Sequence, residues 1–429
     1  MFRARSFSVL SPIARLLATA PLAFASPALA EGADILSPET LSVTGTVSLA
    51  ATDSEESWVD RGFGKLSTSG DGNDFRLTPL LSEANLIWRP RFSWALSANV
   101  AGTFQGGERN EAGISEAFLS YKPMRGANTR LSARAGLMWP PVSLEHEGAD
   151  WHVRDTITPS AINSWIGEEV RPLTLEGTFG TNVGDHKLTA TAALFAANDT
   201  AGTLLAFRGW ALHNRRTLAF NEQPLPPFEP EDEGYQAPFT HPLLDVGPGF
   251  AERPGYYAKI VWQPPIPVRF ELFRYDNRAN PHDVNEDMEW GWRTHFNNLG
   301  VAADIEGTQI KAQAMTGRTR MGYEEVPSGR HWIDMRFRSA FVLVSRSIGK
   351  FGIAGRLEAF ETRHRGSWWD EEYDEDGWAA TLVGKREWGP FTGLVELIHV
   401  SSDNPAREHV QLESRQKQTR LQADLRLSW

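Results

Sequence analysis

Basic side chains recur along this chain at alternate positions, opposite apolar neighbours. Arg134, Lys259, Arg269, Lys311, Arg336, Arg338, Arg356, Lys385, Arg420 and Arg426 make up the set, with Glu116, Glu176, Glu271, Glu358, Glu387 and Asp424 as acidic counterparts. Arranged around an aqueous passage, such a cationic majority would favour anions, because rings of charge select the sign of what enters. The competing reading is that the charges cancel across strands, since Arg269/Glu271, Arg356/Glu358 and Lys385/Glu387 sit close enough to pair. A second group lies in 139–168. There Glu145, Asp150, His152, Arg154 and Asp155 are followed by Thr156, Thr158 and Ser160. Folded into a passage, these mixed charges and hydroxyls would sort solutes by size and field; folded outward, they would only pack on a rim.

Other reactive constellations are weaker. Trp368-Trp369-Asp370-Glu371-Glu372-Tyr373-Asp374-Glu375-Asp376 gathers carboxylates, the ligands that hard cations want. It lacks the spacing of a binding loop, so a solvated, self-repelling loop is the plainer expectation. The eleven histidines are scattered. There is no His-x-x-x-His and no Gly-x-Ser-x-Gly elbow. His399 with Ser401 and Ser402 is the one Ser/His grouping to check for hydrolase chemistry. With no cysteine in the chain, a disulfide, a thiolate metal site, a cysteine nucleophile and a lipid-modified cysteine are all excluded. No metal or cofactor is expected.

The elements that would position these groups read as β-strands. Arg3, Arg5 and Arg15, the apolar run Leu16 to Phe24, and Ala28-Leu29-Ala30 before Glu31 form a secretory leader over 1–30. The whole chain has 43 basic and 54 acidic residues; without the leader's three arginines the net charge is −14. That balance excludes a nucleic-acid partner, which needs a basic footprint. No apolar run approaches the roughly 20 residues of a membrane helix. Alternation recurs instead. Leu421, Ala423, Leu425, Leu427 and Trp429 face away from Arg420, Gln422, Asp424, Arg426 and Ser428, and Phe92 to Val100, Leu131 to Leu137, Leu188 to Leu194, Ile310 to Ala314 and Phe351 to Ala359 repeat the pattern. Short turns fall at Arg89-Pro90, Lys122–Asn128, Thr181–Asp185, Pro264–Pro267, Glu306-Gly307, Gly349-Lys350 and Gly389-Pro390. Long polar stretches fall at 51–75, 103–111, 139–168, 197–253, 277–293, 318–331, 364–375 and 403–415. Their strict alternation predicts an all-β, closed antiparallel transmembrane barrel of about 16 strands. Leu204–His213 could read as a further strand, but counting it breaks the alternation, so it belongs to the fourth loop; eighteen strands is the alternative count. Trp88, Phe92, Trp262, Phe351, Trp388, Phe391 and Trp429 gather beside the short turns, as an interfacial girdle requires.

Two stretches carry a resemblance. The last strand, ending Leu425-Arg426-Leu427-Ser428-Trp429, resembles the terminal signal read by outer-membrane assembly machinery, with Trp429 where Phe is usual. Ser115-Glu116-Ala117-Phe118-Leu119-Ser120-Tyr121 followed by Gly136-Leu137-Met138-Trp139-Pro140-Pro141-Val142-Ser143-Leu144-Glu145 is similar to the phosphate-selective porin O and P family, over roughly 112–180. The resemblance implies a 16-stranded trimer in the Gram-negative outer membrane, with the third loop folded into the pore. The arginine ladder and lysine cluster of the phosphate-specific members do not map onto this sequence. The expected function is passive passage of small hydrophilic solutes with a modest anion preference, in contact with outer-membrane lipid and lipopolysaccharide. A barrel hydrolase and a non-conducting adhesive barrel are the rivals. A plugged transporter is disfavoured, because about ten residues separate the cleavage site from the first strand.

Overall fold

The computed structural model describes residues 35–429 apart from 54–55, 71–74, 107–111, 124–125, 127, 148–150, 228–233, 249–251 and 369–372. The leader 1–30, Asp150 and Trp369 to Glu372 therefore lie outside the described residues. Sixteen antiparallel strands close into one barrel, each bonded to its sequence neighbour and the last to the first. They are β1 (Leu41–Asp53), β2 (Phe75–Trp88), β3 (Leu96–Gln105), β4 (Ala112–Tyr121), β5 (Thr129–Leu137), β6 (Leu173–Val183), β7 (His186–Ala196), β8 (Gly255–Gln263), β9 (Val268–Asp276), β10 (His295–Ile305), β11 (Thr308–Glu324), β12 (His331–Ile348), β13 (Phe351–His364), β14 (Glu375–Trp388), β15 (Phe391–Asp403) and β16 (Arg415–Ser428). Closure pairs Thr44 with Ser428 and runs to Asp53 with Thr419. It leaves no free edge, which a sheet in lipid cannot tolerate. The alternative of eighteen barrel strands is corrected. Within 197–254, Thr203–Phe207 is a short helix, and Gln223–Pro224 pairs with Phe239–Thr240 as a separate ribbon.

The side-chain pattern changes with height. Near the short turns, taken as the periplasmic end, apolar residues face out and polar residues face in. On β9, Phe270 and Leu272 point outward while Arg269 and Glu271 point inward. Farther up the same strand the order inverts, with Phe273 and Tyr275 buried inside and Arg274 outside. The reason is what fills the lumen. The described parts of loop L1 (56–70), loop L3 (138–172) and loop L4 (197–254) fold inward, and helix α1 (Ala161–Glu169) of L3 is wholly buried. Trp165 of α1 packs against Trp210 of L4 and against Phe296 and Phe337 of the wall, and Trp210 also meets Phe337, with ring centroids 5.2–6.2 Å apart. The barrel thus encloses an apolar core of its own above a polar middle.

Candidate functional site

L3 crosses the lumen and is fastened to the far wall by charge. Arg356, in the middle of β13, points inward because its neighbour Leu357 faces lipid at 68% exposure. Its guanidinium donates to Glu358 at 2.8 Å, to Glu145 of L3 at 2.9 Å, and to the carbonyls of Thr158 and Pro159 at 2.7 and 3.0 Å. Glu358 in turn accepts the Ala161 amide at 2.7 Å, at the start of α1. Glu145 also accepts from the Ser160 amide and from the Asn163 side chain. On β15, Glu396 accepts the amides of Ile157 and Thr158 at 2.8 and 3.0 Å and the Thr158 hydroxyl at 2.6 Å. Arg420 of β16 lies 3.5 Å from Glu396 and also donates to Thr158. Lower on β16, Arg426 donates to the carbonyls of Val153 and Thr156 at 2.9 and 3.1 Å. The carboxylates and guanidiniums of this dry layer meet one another or loop backbone, the condition under which such burial is tolerated.

Two further junctions hold L1 and L4. Lys65 of L1 is ion-paired with Glu375 at the head of β14, both fully buried. Arg208 of L4 meets Glu168 of α1 at 2.6 Å, with His213 at 3.1 Å from the same carboxylate. Burial raises the Glu168 carboxyl, but Arg208 and His213 outweigh it and hold the group at about 2. The adjacent Glu169 has no cationic partner among the described residues. Burial pushes it up to about 7, against the lowering effect of bonds from the Leu204 and Gly202 amides and the Trp165 indole. Arg216 of L4 joins Glu83 of β2 at 2.9 Å.

Elsewhere in the lumen, down to its periplasmic end, further charges pair, and Arg134, Arg154, Arg269 and Glu147 stay partly exposed. Arg134 of β5 forms a two-pronged bond to Glu176 at 2.7 and 2.9 Å, and the Tyr257 hydroxyl donates to the same carboxylate at 2.7 Å. Glu271 lies between Lys259 at 2.6 Å and Arg269 at 2.9 Å. Lys311 meets Glu147 at 2.8 Å and Asp155 at 3.2 Å, and Arg154 approaches Glu147 at 3.5 Å. Lys385 pairs with Glu387 at 3.2 Å. His152 lines a cavity of about 430 Å³ at this end with Asn85, Glu147 and Trp429. Burial, helped by Arg426, lowers its imidazole to about 4.

The candidate residues therefore separate into a clamp (Glu145, Arg356, Arg420, Arg426), a vestibule (Arg134, His152, Arg154, Asp155, Lys259, Arg269, Lys311, Lys385) and an outer group. Arg336 and Arg338 are corrections, since they stand on the outer wall. Phe337 between them is fully buried among the loop aromatics, which fixes the parity, and Arg338 is 70% exposed. The hydrolase grouping is not brought together. His399 bonds to Thr419 at 2.9 Å on the outer face, beside Trp378. In the acidic stretch, Asp376 pairs with Arg363 and Glu375 with Lys65. Among the described residues no three His, Asp or Glu converge as a metal site. Sequence reasoning misses Glu396, Glu83 and Lys65. Glu396 does sit in the alternation of β15, opposite Val395 and Leu397, and is open to the same reading as Glu358.

No family model matches the chain, and no curated protein matches it. Among solved structures, the outer membrane channel DcaP of Acinetobacter baumannii superposes with a TM-score of 0.53 at 12% identity, covering 93% of this chain and 100% of that one. An anion-selective porin from Comamonas acidovorans gives 0.49 at 11% identity, covering 91% and 99%. At such identity the likeness is one of fold: the chain has the closed 16-strand architecture of outer-membrane channels.

Proposed function

We propose that this chain is an outer-membrane porin of low conductance for small hydrophilic solutes. One observation supports the reading above the others: L3 spans the lumen at mid-height and is fastened there by Arg356, Glu358, Glu396 and Arg420. A barrel that narrows itself with a fixed, charged strap sorts solutes by size before anything else. The solute path would run along β5–β9, where Arg134 and Arg269 keep 27% and 40% of their side chains exposed. Their basicity favours anions modestly, because Glu176 and Glu271 offset part of it. Each lumen-facing arginine of the clamp and of β5 and β9 already meets a carboxylate or a loop carbonyl, so the reading includes no phosphate preference.

The filling of the lumen by L1, L3 and L4 favours a second reading, a barrel that does not conduct at rest. Single-channel recording of the refolded mature protein separates the two. Small, stable steps with a reversal potential displaced toward the anion equilibrium in a salt gradient support the porin. A folded, heat-modifiable barrel giving no steps refutes it. Cross-linking in mild detergent tests the trimer that the resemblance implies.

A further inference from the structure

On the lipid-facing wall, cations appear where the apolar band ends. Arg318, Arg336 and Arg363 stand directly opposite one another on β11, β12 and β13. Like charges so placed repel. Arg318 is held by Asp334 and Arg363 by Asp376 and Glu361. Arg336, between them, has no side-chain partner among the described residues.

Just below this row, Ala314, Ala340 and Ala359 align across the same three strands and meet Trp378 on β14. Their small side chains leave an outer-wall groove of about 880 Å³, walled by Trp378 and capped by Arg338, Arg415 and Lys417 with acidic residues among them. Lys417, like Arg336, has no side-chain partner among the described residues. Height identifies the level. Arg338, Glu361 and Trp378 lie about ten residues up-strand from Ile348, Phe351 and Trp388. At roughly 3.3 Å per residue and a tilt of about 40°, that is about 25 Å, the height of the apolar band of such barrels. The groove ends where outer-leaflet headgroups begin.

We propose that this wall binds a phosphorylated, multiply acylated glycolipid of the outer leaflet, with one acyl chain on the alanine floor and a phosphate between Arg336 and its cationic neighbours. Charge complementarity selects this occupant. Arg318, Arg336, Arg338, Arg363, Arg415 and Lys417 stand together at this level of a chain that is acidic overall, and an unpaired guanidinium between two others is matched by a phosphate oxygen cluster. The proposal rests on the outer-membrane placement and not on conduction.

The test uses the full barrel refolded into nanodiscs of zwitterionic phospholipid, with fluorescent bis-phosphorylated lipid A as the probe. Dephosphorylated lipid A, phosphatidylglycerol and inorganic phosphate serve as competitors. Bis-phosphorylated lipid A should bind, with the dephosphorylated form about ten-fold weaker or worse. Arg336→Glu should weaken binding about twenty-five-fold, since it changes the charge by two and each charge at an anionic lipid surface is worth roughly five-fold. Ala340→Trp should weaken it by filling the groove, with Ala359→Leu as the milder filling. Heat-modifiability confirms that each variant is folded. Equal competition by phosphatidylglycerol, by inorganic phosphate or by the dephosphorylated lipid, or unchanged binding in Arg336→Glu, overturns the proposal. A protein that binds the lipid and never conducts would count against the porin reading alone.

Discussion

Replacing Arg356 by methionine keeps most of the aliphatic stem and removes the charge and all five donors. Glu145 and Glu358, both fully buried, would then face each other across L3 with no cation, and the Thr158 and Pro159 carbonyls would lose their donor. Breaking a buried pair by removing one partner costs about 3–5 kcal/mol, mostly the penalty of the charge left behind. That is roughly a hundred- to a few-thousand-fold in the ratio of docked to released L3. The wall should survive, because its backbone ladder does not depend on Arg356. The chain has no cysteine, so a single Ala161→Cys reports on L3 without background. Ala161 is fully buried, so the introduced thiol should resist a water-soluble maleimide in the parent and react in Arg356→Met, with larger and noisier current steps. Adding Glu145→Gln and Glu358→Gln should restore much of the protection, because the uncompensated charges are then gone. If Arg356→Met stays folded and the thiol at position 161 stays unreactive, the clamp is not what holds L3 and the argument fails.

Other outcomes follow from the same geometry. Glu169 has a folded-state value of about 7 against an ordinary 4.5, so it contributes to the L3–L4 junction fully below pH 4.5 and loses that contribution as pH rises through 7. The difference is about 3 kcal/mol; protease nicking of L4 should increase from pH 5 to 8, and Glu169→Gln should flatten that dependence. Gly202 has φ of 106°, and a Cβ there would collide with the Thr319 and Thr294 hydroxyls, so Gly202→Ala should loosen L4 by about 1–3 kcal/mol, seen as earlier thermal exposure of the loop. Lys259→Gln with Arg269→Gln should move the reversal potential toward cations, whereas Arg336→Gln with Arg338→Gln, on the outer wall, should leave it unchanged in the same recording.

The wall is legible in the sequence because lipid imposes one rule on every strand. Outward residues such as Leu357, Leu382 and Leu425 must be apolar, and a period of two then gives the strands and the turns between them. The rule stops at the top of the apolar band. Above it the outer face meets headgroups and water while the inner face meets the aromatic side of L3 and L4, so polarity inverts. A polar-inward rule therefore misplaces Arg336 and Arg338, because at their height Phe337 takes the inward place. The clamp is half legible. Arg356 and Glu358 stand out within one strand. Glu145, however, lies 213 residues before Glu358, and Glu396 lies 38 residues after it. Pairing across such separations is set by how a loop folds through the barrel, which no local pattern records.

The division of labour inside the lumen bears on where any solute could pass. The aromatic core around Trp165, Trp210, Phe296 and Phe337 is dry and close-packed, so it resists opening as a unit: separating it exposes large apolar rings to water. The ionic layer beneath is different. Its attraction weakens as water enters, and its carboxylates and guanidiniums are well solvated once apart. Opening should therefore begin at the ionic layer, from the periplasmic side where His152, next to Arg426, already borders a cavity, and it should spread toward β5–β9, where Arg134, Lys259 and Arg269 face the lumen. On that path the solute meets Glu271 flanked by two cations before it meets anything apolar, and selectivity is set there and not at the core.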